Sequence, residues 1–396
     1  MVNTSSVAYL TILASNYLPK ALALAESLHK HEGAELNVLL IDVPSPDRAP
    51  QLPGVRVLST EFLGMSETEL LRMATIYDLV EFATSVKPTA LLRLLEDHEA
   101  AYYIDPDMYL TAPLDDLPAE LAASDGGILL TPHFLEPPGE DAPLTEGHLL
   151  NVGVYNLGFC GVDRRAVPFL NWWKARLRSE CRFEPLSGLF VDQKWVDVGS
   201  QLFNARALRH AGYNTGVGNM HERPIGVDDE GALIVASTGE PLRLFHFHAF
   251  DPDNPTELST RFKWSTDGIR QGSDALDHLC IEYADKVRAN RPANVPAYPY
   301  SQDLEGRPLS RHLRRSYRLQ WDDQNPLPSP FRESDRAAWS EWRHAAWRQS
   351  MRSLAGDAAK SARVVLPEES ERIIKRFPRL HRRLVGRYVD RGGLWG

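Results

Sequence analysis

The tripeptide Asp105-Pro106-Asp107 places two carboxylates one residue apart, directly after the apolar run Ala101-Tyr102-Tyr103-Ile104. That run reads as a short buried strand, and Met108-Tyr109-Leu110 and a Pro-containing turn follow. Carboxylates at the end of a buried strand need compensation, because each buried charge must have a partner. A divalent cation that also carries phosphate oxygens is one such partner, since Mg2+ and Mn2+ take carboxylate and phosphate oxygens. The other reading is a solvated turn closing the strand, with the aspartates bonded to nearby backbone. The tripeptide alone leaves both open.

Other polar residues recur where apolar runs end. Asn16 follows the run 7–14, Asp42 follows 36–41, and His133 follows 127–132. Asn156 and Gly158 stand in the segment 151–162, where asparagine and glycine interleave with apolar residues. Glycine weakens a strand, so its use there asks for a close approach to the backbone. Asp192-Gln193 follows the lead Phe190-Val191, and His246 and His248 lie in the strand-like run 242–250. Side chains alternate along a strand, so the two histidines share one face.

These groups need a scaffold to bring them together. Strand-like runs at Val7–Leu13, 36–41, Val55–Leu58, 101–104 and 127–130 alternate with helix-like stretches. The first helix follows Asn16-Tyr17-Leu18-Pro19, with Pro19 in its first turn and Ala21, Leu22, Leu24, Ala25 and Leu28 as its apolar face. Residues 65–83 are helical in composition, and Lys87-Pro88 opens a helix over 89–95. The alternation predicts an α/β fold with a mostly parallel sheet flanked by helices. Ligands bind such sheets at the carboxyl ends of strands, where Asn16, Asp42, Asp105 and His133 all fall. The helix expected over 169–177 carries Trp172 and Trp173, which read as core aromatics.

With 396 residues and a hydrophobic fraction of 43%, the chain can bury a sizeable core and hold more than one domain. A net charge of -9 argues against a nucleic-acid partner. Cys160, Cys181 and Cys280 are odd in number and widely spaced, which suggests no disulfide framework and a reducing compartment. No basic segment precedes the first apolar run, and no run reaches membrane-spanning length. The expectation is a cytoplasmic protein, with peripheral contact at the inner face of a membrane as an option.

The last third changes character. Pro-rich stretches at 292–300 and 323–330 precede a helical segment rich in Arg and Trp, with one break near Pro367. The expected division is 1–265, then 266–331 packing on it, then a helical appendage at 332–396. Arg311, Arg314, Arg315 and Arg318 have the spacing of one helix face. They read either as a solvated face carrying ion pairs or as a basic surface for anionic lipid or a partner protein. Trp339, Trp342 and Trp347, beside Arg343 and Arg348, leave the same choice between packing and docking.

Taken in order, these elements resemble a GT-A glycosyltransferase, the retaining group that includes glycogenin and the bacterial lipooligosaccharide galactosyltransferases, together with bacterial polysaccharide-type relatives. The resemblance covers most of residues 7–331. It implies a GT-A fold, a nucleotide-diphosphate sugar donor (a UDP-sugar first), Mn2+ or Mg2+, and a glycan, lipid-linked or protein acceptor in polysaccharide biosynthesis. Transfer of a hexosyl or N-acetylhexosaminyl group with retention is what it implies for the reaction.

By the same resemblance Thr11, Asn16 and Tyr17 face the base or ribose, and Lys87 contacts the sugar or phosphates. Asp105 and Asp107 hold the metal, and Asn156 and Gly158 lie under the donor sugar. Asp192 binds sugar hydroxyls and Gln193 lies beneath the anomeric carbon. His246 completes the metal site, with His248 as the alternative ligand or a phosphate contact. The family's glycine and Lys-Pro-Trp tail after this histidine are missing, and Arg261 or Lys263 stands in for the lysine. Two other readings remain: a haloacid-dehalogenase-type phosphatase with Asp105 as nucleophile, against which the later acidic pair Asp228-Asp229 sits in a Gly-rich turn and not after an apolar strand, and a non-catalytic nucleotide-sugar-binding scaffold.

Overall fold

The computed structural model describes residues 7–139, 142, 144–261, 274–294 and 297–376. The chain forms two units, each discontinuous in sequence. The first comprises Met1–Gly64, Ala83–Cys181 and Phe190–Tyr298, and the second Met65–Phe82, Arg182–Leu189 and Pro299–Gly396.

Two larger sheets organise the first unit, beside a small hairpin of Ile225–Val227 and Leu233–Val235. Their strands are β1 (Val7–Leu13), β2 (Leu36–Leu40), β3 (Val55–Leu58), β4 (Ala100–Ile104), β5 (Met108–Leu110), β6 (Ile128–Pro132), β7 (Tyr155–Asp163), β8 (Arg206–Ala207), β9 (Tyr213–Gly216) and β10 (Leu244–His246). The larger sheet runs β8-β6-β7-β4-β1-β2-β3. Its strands are parallel except β7, which runs antiparallel between β4 and β6. The fold is therefore the expected α/β class, with a mostly parallel sheet flanked by helices. Every residue of β2 and β4 is buried, as strands covered on both faces require.

Helix Leu18–Glu32 starts with Pro19 in its first turn and stops at Gly33, whose φ of 62° suits the left-handed conformation glycine adopts freely. Leu24 and Leu28 of this helix join Leu36, Val38, Tyr102 and Phe159 in one core. A second core sets helix Asp274–Ala289, through Leu276, Cys280 and Tyr283, with Phe245 and Phe247. Trp173 is buried and stacked on Phe169, in keeping with the core reading of that helix. The three cysteines are buried and unbridged.

The smaller sheet runs β9-β10-β5. The chain passes from one sheet to the other at the Asp-Pro-Asp turn, since β4 ends at Ile104 and β5 starts at Met108.

The second unit is built from helices, among them Glu67–Ile76, Arg311–Gln320, Arg336–Val365 and Pro367–Arg376. It corrects one expectation. Arg314 and Arg315 are buried rather than displayed on a solvated or docking face. The Arg314 guanidinium donates to the carbonyls of Ala74, Thr75, Tyr77, Tyr300 and Leu309. Arg315 pairs with Glu81 and Glu184. The two arginines close the carbonyl-rich end of Glu67–Ile76, where helical C=O groups lack partners. Trp339 is buried as well, with Nε1 donating to Asp303 Oδ2 at 3.0 Å and its ring 6.0 Å from that of Tyr317. Trp347 is exposed. No described helix is long and apolar enough to cross a membrane.

Candidate functional site

Backbone pairing dictates where the first unit gathers its charge. Asp105 O accepts from Met108 N at 3.1 Å, so Asp105-Pro106-Asp107-Met108 is a tight turn. Asp105 N donates to Gly158 O at 2.7 Å, which ties the turn to β7. Antiparallel pairing of β5 with β10 sets Met108 opposite His246, and Phe247 N donates to Asp107 O at 2.8 Å. This register brings His246 to the carboxylates from 139 residues beyond Asp107.

His246 Nε2 lies 3.3 Å from Asp107 Oδ1 and 4.0 Å from Asp105 Oδ2. Ligating atoms of Asp107, His246 and His248 all fall within 4.8 Å of one another. Tyr103 OH donates to Asp105 Oδ1 at 2.5 Å. Gly158 lies beneath the imidazole, and a Cβ there would be 2.7 Å from His246 Cε1 and 2.8 Å from Nδ1. That is the close approach the glycine of this strand was expected to serve.

Electrostatics mark the cluster as short of positive charge. Burial raises the Asp105 carboxyl, and Asp107 beside it pushes the same way, so Asp105 sits above the ordinary carboxylate value despite Lys87. Burial would raise Asp107 too, but the charge and hydrogen bond of His246 outweigh it and hold Asp107 at about 2. Burial would lower His246, and the Asp107 carboxylate more than reverses this. Burial takes His248 down to about 4, with the charge of His246 adding to the effect. Two carboxylates with imidazole nitrogens fit a divalent cation that accepts both oxygen and nitrogen, which suits Mn2+ better than Mg2+.

Around this cluster stand groups that complement an anion. Lys20 lies with its ammonium 4.8 Å from the centre of the Tyr17 ring, and its charge helps to hold Asp107 down. Arg261 Nη1 is 3.2 Å from His248 Nε2. Asn16 and Tyr17 form an exposed 3-10 turn after β1. Asp42 Oδ2 holds that turn by accepting from Ser15 N at 2.9 Å. Thr11 is wholly buried, and its hydroxyl has no hydrogen-bond partner among the described residues. Lys263 lies outside the described residues.

Lys87 and Asp192 form a buried pair, Nζ to Oδ2 at 2.7 Å. The ammonium also donates to Leu157 O at 3.2 Å and sits 4.0 Å from the Tyr103 ring centre. Burial would lower Lys87, but Asp192 and Asp105 keep it above its ordinary value, so it stays charged. Gln193 accepts from Leu157 N at 3.2 Å, donates to Val152 O at 2.9 Å, and lies 3.2 Å from His133 Nε2. Asn156 Oδ1 accepts from Gly158 N at 3.0 Å.

The structure thus brings Asp105, Asp107, His246 and His248 into one cluster, with Gly158 packed against it. Lys87, Asp192 and Gln193 form a buried layer behind it. Three participants were not singled out from sequence: Lys20, Asn214 and Asn219. Lys20 occupies one turn of a helix whose apolar face drew attention, Asn214 sits at a register shift in the short strand β9, and Asn219 follows that strand. Asp228 caps the Glu230 and Ala232 amides of an exposed turn, so the acidic pair a phosphatase would need is used locally.

No family model matches the chain. It is 29% identical over 251 residues to the uncharacterized protein YfnF of Bacillus subtilis (strain 168), covering 61% of this chain and 81% of that protein. Among solved structures, the galactosyltransferase LgtC with donor and acceptor sugar analogues aligns at a TM-score of 0.40 and 15% identity, over 73% of this chain and 97% of that one. The bifunctional glycosyltransferase WbbM in its apo form aligns at 0.37 and 15% identity, over 62% of this chain and 46% of that one. Both scores are too low to establish a common fold.

Proposed function

We propose that the chain is a GT-A glycosyltransferase that moves a hexosyl or N-acetylhexosaminyl group from a nucleotide-diphosphate sugar, UDP-linked first, to a glycan, lipid-linked or protein acceptor. The observation that carries this reading is the clustering of Asp105, Asp107, His246 and His248 at the ends of β4 and β10, with Lys20 and Arg261 beside it. A carboxylate-rich cluster flanked by cations suits a cation-bound diphosphate better than either ion alone.

Asp105, Asp107 and His246 would hold the cation, with His248 as a fourth ligand or a phosphate contact. When bound, the cation would neutralise charge that develops on the departing diphosphate. Lys20 and Arg261 stand where they would add positive charge to the same oxygens. Asp192, held by Lys87, would accept from a sugar hydroxyl, and an unpaired hydroxyl there would cost about 1–3 kcal/mol. Gln193 accepts from Leu157 N, so it would help to hold the backbone before Gly158 under the sugar. Retention is proposed from the resemblance of Asp192-Gln193 to the retaining pattern. We also propose a cytoplasmic site of action in polysaccharide biosynthesis.

The test is release of UDP from a panel of UDP-sugars by the full chain, with Mn2+ or EDTA. Release that needs Mn2+ and falls on Asp192→Asn supports the proposal. No release from any nucleotide sugar, with p-nitrophenyl phosphate hydrolysed instead, would reject it.

A further inference from the structure

We infer that Asn214 is a positioning residue that presents His246 Nε2 to the cation. The inference rests on the reading of His246 as a ligand and adds the group that orients it. Asn214 Oδ1 is 2.9 Å from His246 Nδ1. Asn214 Nδ2 donates to Thr131 Oγ1 at 2.7 Å and to Asn156 O at 2.9 Å.

The hydrogen bonds fix which way the amide points. Thr131 Oγ1 has one proton, and it goes to Asn156 O at 2.9 Å. Thr131 Oγ1 must therefore accept from Asn214, which makes the atom facing it the Nδ2 donor. The opposite atom, facing His246, is then Oδ1, and an amide oxygen only accepts. His246 Nδ1 must carry the proton, which leaves Nε2 as the nitrogen available on the side of Asp107. Turning the amide over would set Oδ1 against the Asn156 carbonyl.

The backbone supports the same arrangement. Asn214 has φ of 54°, a left-handed conformation that asparagine and aspartate tolerate better than most residues. Asn219 Nδ2 donates to Asn214 O at 3.0 Å, and Asn219 Oδ1 accepts from Gly216 N at 2.9 Å, which pins the segment on both sides. Because Asn214 also holds Asn156 O, one side chain ties the ligand histidine to the strand that carries Gly158.

The experiment titrates Mn2+ into the full chain without any sugar, using the free-ion EPR signal for affinity and electron spin-echo modulation for bound imidazole nitrogen. Asn214→Gly keeps the left-handed backbone and removes the side chain. Asn214→Asp keeps an acceptor for Nδ1–H but loses the Nδ2 donor. Groups that orient metal-bound histidines are typically worth about 10–100-fold in affinity. Asn214→Gly is expected to lose about that much together with the nitrogen modulation, and Asn214→Asp to retain both.

If both variants lose equally, the role is one of packing through Nδ2, and the positioning proposal is overturned. Retention of affinity within about twofold in Asn214→Gly overturns it too, while the cation site itself stands. If Asn214→Gly does not fold, Asn214→Asp alone decides: intact affinity supports, lost affinity overturns. Absence of Mn2+ uptake by the wild-type chain would reject the cation site, and the proposal with it.

Discussion

Each unit buries a group of charges, and the two groups are built on opposite plans. In the second unit Arg314 ends on backbone carbonyls and Arg315 meets both Glu81 and Glu184. Each carboxylate there meets an arginine. In the first unit Asp105 and Asp107 face each other's charge, His246 stands closest to Asp107, and Lys87, which counters Asp105, is already paired with Asp192. A buried pair with every partner present is a structural device, even where its net contribution is small. A buried cluster with an excess of one sign is unstable alone and is a place for a ligand of the other sign.

The first way to break this comparison is to remove a partner from the balanced group. Arg315→Leu removes the cation from Glu81 and one of the cations from Glu184, which keeps Arg182, and loss of one member of a buried pair costs about 3–5 kcal/mol. Chemical denaturation is expected to show that loss, while Mn2+ affinity stays unchanged.

Asp107→Asn does the reverse. It takes away the carboxylate that His246 stabilises but relieves Asp105 of a like charge, so the two effects oppose and the cation-free chain should lose less stability than Arg315→Leu does. Nucleotide-sugar turnover should fall on the order of 10²–10³-fold, the worth of several kcal/mol of charge stabilisation. Wild-type turnover in this variant would remove the carboxylates from the site.

Gly158→Ala sharpens the geometry. Its Cβ would meet the His246 ring at 2.7 Å, and displacement of that ring should weaken Mn2+ by about tenfold. Calorimetry on a folded variant with unchanged affinity would show the ring to be dispensable.

How much of this was legible from residue order alone differs between the two groups. Alternating apolar runs sufficed for β1 to β4, because fully buried parallel strands are continuously hydrophobic. Asp105, Asp107, His246 and Gly158 stood out because each breaks an apolar run. Asn214 did not, since its importance lies in a left-handed backbone and in partners 32 to 83 residues away. Arg314 and Arg315 were misjudged because helical spacing says which residues share a face but not what covers it. Five carbonyls gathered from residues 74–77, 300 and 309 cannot be seen in a local pattern.

The two groups should also answer pH in opposite directions. His246 is raised in the folded chain, so its contribution is full below its ordinary value of 6.5 and is lost as pH rises through the folded value. Glu184 is lowered, because Arg182 and Arg315 outweigh the burial that would raise it. Its contribution is present above 4.5 and is lost as pH falls through the folded value. Hydrogen exchange of the cation-free chain, corrected for intrinsic rates, should show the Asp105 turn loosening toward alkaline pH and residues 311–320 toward acid. Parallel behaviour of both segments would contradict the assignment.

The smallest effect is expected at the surface of the second unit. Trp347→Ala removes an exposed ring and should change stability by less than about 0.5 kcal/mol, whereas Trp339→Ala should cost about 3–5 kcal/mol. For the same reason, truncation at residue 331 should unfold the second unit, because it strips Trp339 from Tyr317 and Asp303.

The central claim is that the unbalanced carboxylates of the first unit exist to carry a cation and, through it, a nucleotide sugar. Thermal melting of the full chain with UDP-sugars, in Mn2+ and in EDTA, tests it most directly. A ligand at about 100 times its Kd adds about 2.7 kcal/mol to folded-state stability. The account predicts an upward shift with UDP-sugar that requires Mn2+ and is absent in Asp107→Asn. An equal shift in EDTA, or no shift with any nucleotide sugar in Mn2+, would contradict it.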